Sequence, residues 1–196
     1  MSCSDITYDA GVGRWEPDAA GRLRVAALEL FATLGYEQTT VAQIAERAGV
    51  TARTFFRYFT DKPEVLFAGS ENLEHEMVAA LRAAPAGASA RTALDTALGA
   101  AASLLSDRGD FARRRHAVIT GNPVLTERET MKMARLADAL ADGLRERGVR
   151  EPQAAMTAHA GVAAFRLAFA SWVEDSAVSL PQAIADNLRA LESLAQ

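Results

Sequence analysis

The chain has 196 residues, and its 21 lysines and arginines against 25 aspartates and glutamates give a formal net charge of −4. Hydrophobic residues make up 49% of it, which fits one or two compact domains and excludes a chain dominated by disorder. No apolar run approaches membrane-spanning length and no signal segment is evident, so we expect a cytoplasmic protein without a membrane partner. Cys3 is the single cysteine, which excludes an intramolecular disulfide or a cysteine-based metal cluster.

The first predicted elements are a polar N-terminal arm, residues 1–18, and a helix that follows it. The arm has no sustained apolar period, so we expect a flexible terminus. The helix buries one stripe and ends at Gly35. That stripe consists of Leu23, Ala27, Leu30, Phe31 and Leu34.

Two short helical patterns, separated by a glycine, follow in residues 40–62, TVAQIAERAGVTARTFFRYFTDK. Thr40 and Gln43 form a capping-box pattern at the start of the first. Gly49 stands where the chain must turn, and we expect it to have a positive φ. The apolar face of the first helix consists of Val41, Ile44, Ala45 and Ala48. This arrangement is typical of a helix-turn-helix.

The second of these helices has one apolar face and one face without acidic residues. Phe55 and Phe59 fall on the inward side, and no aspartate or glutamate occurs in residues 48–60. The outward side is therefore positive or neutral, as a helix entering a polyanionic groove must be. An ordinary helical hairpin with solvated arginines is the alternative. Arg14 and Trp15 of the arm are further candidates for touching DNA.

The segments LFATLGYEQTTV, IAERAGV, TARTFFRYF and DKPEVL strongly resemble the TetR family of bacterial transcriptional regulators. The resemblance implies an all-α fold. Residues 19–62 would form a three-helix DNA-binding domain, and residues 63–196 a helical domain that dimerises and usually holds an effector. It also implies that double-stranded DNA is a partner and that the protein is not an enzyme.

The same resemblance assigns DNA contacts residue by residue. Thr51 would begin the recognition helix, and Ala52, Arg53 and Thr54 would lie nearest the base edges. An arginine in the major groove can form a bidentate pair with guanine, so Arg53 is the candidate for direct readout, with a phosphate contact as its alternative. The full expected set is Thr40, Gln43, Thr51, Ala52, Arg53, Thr54, Phe56, Arg57, Tyr58 and Lys62.

Four of these positions carry specific expectations. Tyr58 and Lys62 match residues that contact phosphates in the family, and Thr40 could add another such contact. Phe56 stands where the family commonly has tyrosine, so a hydroxyl contact to the DNA backbone would be absent. Its ring would either contact a thymine methyl or pack against the first helix.

The rest of the chain reads as successive helices without strand-like alternation or internal repeats. Pro63 suits the first turn of a helix that runs to about Ala84 and links the two domains. Further helices are predicted at 90–106, 111–120, 126–147, 152–174 and 181–195.

The predicted helix at 152–174 has two opposed apolar stripes. One is bulky: Val162, Phe165, Phe169 and Trp172. The other is smaller: Ala160, Ala164, Leu167 and Ser171. With Ile184, Leu188, Leu191 and Leu194 of the last helix, this predicts a homodimer held by a four-helix bundle, which would read a pseudo-palindromic operator. A core helix of a monomer is the alternative.

A small-molecule effector is expected within the second domain. The candidate contacts form a mainly apolar set that suits a greasy or aromatic ligand, although core packing explains the same pattern. They are Phe67, Met77, Phe111, Ile119, Met133, Leu136, Phe165, Phe169 and Trp172. The run of residues 113–116, RRRH, is either a solvated face or a site for a phosphate-bearing effector such as an acyl-CoA.

The segment RRRHAVITGNPVLTERETMKMARLADALADGL loosely resembles actinobacterial TetR regulators that include mycofactocin-associated repressors. No catalytic motif, cofactor fingerprint or metal-ligand spacing is found, and His159 lacks a metal-binding neighbour. The favoured function is a repressor released by its effector. The alternatives are an activator, a ligand-independent regulator, or a helical small-molecule-binding protein or enzyme.

Overall fold

The computed structural model describes residues 18–106 and 108–193, and within these ranges every regular element is a helix. The predicted arm, except its last residue, lies outside them, together with Cys3, Arg14, Trp15 and Leu194. The described ranges contain ten helices: α1 (Ala19–Leu34), α2 (Val41–Arg47), α3 (Ala52–Tyr58), α4 (Glu64–Phe67), α5 (Ser70–Ala83), α6 (Ala90–Ser106), α7 (Gly109–Thr120), α8 (Pro123–Glu146), α9 (Gln153–Glu174) and α10 (Leu180–Ser193). The all-α prediction is confirmed.

Helices α1 to α3 form the N-terminal domain around a core of large side chains. Leu23, Ile44, Phe55 and Phe59 are buried together. In the turn between α2 and α3, Gly49 has a φ of 70°, as the sequence predicts. Residues with a Cβ rarely adopt this backbone conformation. This packing fixes α3 against α1 and α2.

The predicted helix from Pro63 to Ala84 is broken, and this prediction is wrong. It divides into α4 and α5 at Ala68 and Gly69. The carbonyl of Leu66 accepts a hydrogen bond from Arg115 Nε at 2.8 Å, and Ser70 Oγ donates to the carbonyl of Phe67. Side chains therefore take carbonyls that a continuous helix would need for its own backbone bonds.

Helix α4 and parts of α7 and α8 join the N-terminal core, so this core extends beyond the boundary predicted at residue 62. Val65, Leu66 and Phe67 are buried in it, and Ile119 and Leu125 enter it from α7 and α8. The two domains are thus connected by shared packing as well as by the chain.

Helices α5, α6, α8, α9 and α10 pack around a second core that is rich in alanine. Small side chains let these helices approach closely, as at Gly161 of α9, against which Leu94 of α6 lies. Helix α10 covers α9, where Asn187 Nδ2 donates to the carbonyl of Ala164 at 3.0 Å.

Most predicted helix ends lie within two residues of the observed ends, but α8 starts at Pro123 and not at Thr126. Asn122 caps it by accepting hydrogen bonds from the backbone N–H groups of Val124 and Leu125. Asparagine followed by proline is a recognised helix start, so the sequence contained this signal.

Candidate nucleic-acid interface and ligand cavity

Helix α3, the predicted recognition helix, is positioned by a hydroxyl cap and two buried phenylalanines. Thr51 Oγ1 accepts a hydrogen bond from the Thr54 backbone N–H at 3.1 Å, and the two hydroxyls lie 3.0 Å apart. Phe55 and Phe59 anchor the inner face. The outer face consequently presents Arg53 and Arg57 to solvent.

The two arginines of this face differ in their surroundings. Arg53 makes no hydrogen bond or ion pair with any described residue, so its guanidinium is available to a ligand. The Arg57 guanidinium stacks over the Tyr58 ring, with Cζ 4.9 Å from the ring centre, and it donates a hydrogen bond to the Tyr58 hydroxyl at 3.1 Å. Arg57 and Tyr58 therefore form one unit at the edge of the helix.

Phe56 projects into solvent, and 56% of its surface is exposed. Its ring packs edge-on against the Phe55 ring, with the two ring centres 5.4 Å apart. This exposure favours the interpretation in which the ring is available to a thymine methyl over the one in which it packs against the first helix. Ala52, beside it, is partly exposed.

Thr40 and Gln43 form the predicted capping box at the start of α2. Gln43 Oε1 accepts from the Thr40 backbone N–H at 2.8 Å, and Thr40 Oγ1 accepts from the Gln43 backbone N–H at 3.2 Å. Both side chains are exposed, but their oxygens are used by the cap. The Gln43 amide nitrogen stays available as a donor toward DNA.

Lys62 has a structural role that the sequence reading did not include. Its ammonium donates to the carbonyls of Tyr36 and Thr39 at 2.8 and 3.0 Å and lies 4.1 Å from the centre of the Tyr36 ring. It therefore holds the loop between α1 and α2. Only the third N–H of the ammonium remains for the phosphate contact that the resemblance implies.

A network of charges joins the end of the DNA-binding domain to α8, and sequence reasoning missed it. Arg128 pairs with Asp61 and Glu64, both at 2.8 Å, and Lys132 pairs with Glu64 at 3.0 Å. Burial would lower the pKa of Arg128, but hydrogen bonds and charges from the two carboxylates outweigh it and raise this pKa. The i, i+4 spacing of Arg128 and Lys132 was the only signal available.

A cavity of about 560 Å³ lies among α5, α6, α7, α8 and α9, near this connection between the domains. Its volume falls within the range of about 300–1,000 Å³ that is usual for small-molecule sites. Five of the predicted effector contacts line it: Phe111, Ile119, Met133, Phe165 and Phe169. A ligand contact at these five residues remains a prediction.

The other four predicted contacts do not line the cavity. Met77, Leu136 and Trp172 are buried in the core of the second domain. Phe67 is buried in the N-terminal core, where Arg115, Arg128 and Lys132 surround its ring. An apolar stripe at helical spacing could not separate these core positions from cavity walls.

The basic run at 113–116 is divided among different surroundings. Arg113 pairs with Asp110 at 2.7 Å, and this arginine holds the pKa of the carboxyl below its ordinary value. Arg114 is exposed, whereas Arg115 and His116 line the cavity. Sequence reasoning missed the cavity residues Arg24, Leu73, Arg108 and Arg166, of which Arg24, Leu73 and Arg166 lie on other helices.

The predicted dimer residues are also divided. Ala164 and Leu188 are buried in the second core of their own chain, so they are not available to a partner in this arrangement. Leu167 is 64% exposed, and Ala160, Ser171 and Leu191 are at least partly exposed. Met156, which the sequence reading did not include, extends the exposed face of α9.

Two negative findings apply to residues 18–106 and 108–193. No group of three histidine, cysteine, aspartate or glutamate side chains there is arranged to hold a metal ion. His159 lies on the surface with Nε2 3.5 Å from Asp138 Oδ1. None of the helices in these ranges is both long and apolar enough to cross a membrane.

Comparison with known proteins relates the chain to bacterial regulators. Residues 23–68 match the family described as bacterial regulatory proteins, tetR family. The HTH-type transcriptional regulator TcmR of Streptomyces glaucescens is 51% identical over 61 residues, which are 31% of this chain and 27% of that protein. The chain therefore matches only 27% of the length of TcmR.

Two further proteins are similar over most of the chain. MftR of Mycobacterium tuberculosis, named as a mycofactocin biosynthesis transcriptional regulator, is 26% identical over 184 residues, 91% of this chain and 92% of that protein. The crystal structure of Thermus thermophilus FadR, a TetR family transcriptional repressor in complex with lauroyl-CoA, gives a TM-score of 0.55 at 24% identity. It covers 87% of this chain and 91% of that one. Because the sequence identity is only 24%, this structural similarity is evidence for the fold alone.

Proposed function

We propose that the chain is a transcriptional regulator of the TetR type and acts as a repressor, because residues 23–68 match the bacterial regulatory proteins of the tetR family and the fold is that of a TetR family repressor of known structure. In this proposal a homodimer binds a pseudo-palindromic operator and leaves it when a small, mainly apolar effector binds. The observation that carries the proposal is the presence, in one chain, of an exposed helix α3 without acidic residues and a separate ligand-sized cavity.

DNA reading is assigned to α3. Arg53 is the candidate for base readout because it is exposed and unpaired among the described residues. The Arg57–Tyr58 pair is our candidate for a phosphate contact, which would fix the position of the helix on the duplex without selecting a sequence. Thr40 can join it only if its hydroxyl leaves Gln43 Oε1, to which it donates at 3.0 Å.

Dimerisation is assigned to the exposed face of α9 together with the end of α10. Met156 and Leu167 are large apolar side chains that are 67% and 64% exposed, with the smaller Ala160 between them. Burying this face against a second copy would remove apolar surface from water. A two-fold dimer would also present two recognition helices to successive major grooves.

We assign control of DNA binding to the cavity because it lies beside a contact that connects the two domains. Arg115 lines the cavity and also donates to the carbonyl of Leu66 in α4. A ligand that binds more tightly to one arrangement of this contact shifts the population toward it. The lauroyl-CoA of the FadR complex supports a ligand with an apolar tail, and an acyl-CoA is one member of that class.

Selection of binding sites from randomised duplex DNA, at a stated salt concentration, tests the proposal. We expect an inverted repeat, bound by a species with twice the mass of the chain. Weak, salt-sensitive binding without a recovered motif would contradict the assignment of operator binding. The position of the recovered site relative to a promoter, followed by transcription in vitro, tests repression against activation.

A further inference from the structure

The walls of the cavity are mainly apolar, but they also carry several positively charged side chains. Four of these are arginines, at positions 24, 108, 115 and 166, whereas Glu129 is the only carboxylate among the described lining residues of the cavity. Arg115 neutralises that carboxylate by donating two hydrogen bonds to it, of 3.2 and 2.8 Å. The positive charge of the remaining arginines is therefore not balanced within the cavity.

Two of these arginines come from different domains and line the cavity together with Phe111, close enough for the charge of Arg108 to lower the pKa of Arg24. Arg24 belongs to α1, and Arg108 directly precedes α7. The Arg24 guanidinium lies 5.4 Å from the centre of the Phe111 ring and beside Gly69, where a Cβ would be 3.4 Å from Nη2. Neither arginine side chain forms a hydrogen bond or an ion pair with a described residue.

The surroundings of Arg24 are unfavourable to its charge. Burial lowers the pKa of Arg24, the charges of Arg108 and Arg115 lower it further, and Asp18 offsets these effects only in part. An arginine held in this way, half-buried beside like charges, gains from an anion that can accept its hydrogen bonds.

The same place borders a second, open space. Arg24, Arg108 and Phe111 also line a groove of about 930 Å³ between α1 and the start of α7. Three carboxylates line that groove: Glu29 pairs with Arg47, Asp110 pairs with Arg113, and Asp18 accepts a hydrogen bond from the Gly21 backbone N–H. A polar head group therefore has room outside the apolar cavity without displacing an existing ion pair of Arg24 or Arg108.

We propose that the effector is an amphipathic anion whose carboxylate or phosphate group is bound between Arg24 and Arg108 while its apolar tail fills the cavity. The bound anion then connects the DNA-binding domain to the second domain directly, because one ligand arginine lies on α1 and the other at α7. This inference rests on the proposed effector role of the cavity. It assigns a ligand class and two recognition residues.

The test compares three probes with the same twelve-carbon tail: dodecanoate, dodecyl phosphate and uncharged 1-dodecanol. Binding to the full chain is measured by calorimetry, with each probe below the concentration at which it aggregates. At least one anion should bind about tenfold or more tightly than the alcohol, a difference that a charge-assisted hydrogen bond can supply. The stronger of the two anions identifies the head group.

The arginine variants test the assigned residues. Arg24→Gln and Arg108→Gln should each reduce the preference for the anion and leave the affinity for 1-dodecanol unchanged. Arg24→Lys should keep part of the preference because it keeps the charge. Arg114→Gln is the matched control, since Arg114 lies on the same helix as the cavity residues of α7 but is exposed and does not line the cavity.

Three outcomes overturn the inference: equal binding of anions and alcohol, binding of no probe, or an unchanged preference in both glutamine variants. Site selection on the same preparations separates this result from the proposed function. Recovery of an inverted repeat without a charge preference would overturn only the ligand class. A charge preference that depends on both arginines, without a recovered operator, would support the anion site and contradict the repressor proposal.

Discussion

Replacing Gly161 with alanine should destabilise the protein, because the added methyl group has no space. Its Cβ would lie 2.6, 2.8 and 3.0 Å from Cδ2, Cδ1 and Cγ of Leu94. Leu94 is itself buried in the second core and cannot move freely. Overpacking of this kind costs about 1–3 kcal/mol. The better helix propensity of alanine returns about 0.5–1 kcal/mol, so the expected net loss is roughly 0–2.5 kcal/mol.

Gly99→Ala provides the matched control. Gly99 lies on the exposed side of α6, and a Cβ there would meet nothing within 4 Å. This variant should gain about 0.5–1 kcal/mol from helix propensity alone. Urea and thermal unfolding of both variants measure the difference, and about 1 kcal/mol corresponds to a Tm change of about 2–4 °C at this chain length. Stabilisation of Gly161→Ala to the same extent as Gly99→Ala would refute the packing argument.

Three further substitutions test the DNA-reading and dimer assignments. Arg53→Ala should lower the discrimination between operator and random DNA by about 1–3 kcal/mol, and an equal loss on both would indicate a phosphate contact instead. Lys62→Met should lower the Tm of the free protein because two carbonyls lose a charged donor; an unchanged melting curve would contradict this role. Leu167→Glu should shift the mass measured by light scattering toward that of a monomer, whereas Met131→Glu, on the exposed surface of α8, should not.

The DNA-binding domain could be predicted in detail because its signals are local. The capping box of Thr40 and Gln43, the positive φ of Gly49 and the buried Phe55 and Phe59 all depend on residues within a few positions of one another. Local sequence therefore determined both the turn and the face that α3 presents.

The cavity could be predicted only in part, because its walls depend on contacts between distant helices. Phe165 lines the cavity and Met77 does not, although both read as inward apolar positions. The same applies to the break between α4 and α5, since Arg115 reaches Leu66 across 49 positions of the chain. Helical periodicity identifies a buried face but not the neighbour that covers it.

The position of α4 explains how a ligand in the second domain can influence α3 in the proposed function. Arg115 holds the Leu66 carbonyl from the cavity side, and Arg128 holds Asp61 and Glu64 from α8. Helix α4 shares its core with the phenylalanines beneath α3, so a displacement of α4 must repack that core or move α3 with it. Because close-packed cores favour discrete arrangements over gradual deformation, a ligand that perturbs Arg115 or bridges Arg24 and Arg108 should change the spacing of the recognition helices in a two-state manner.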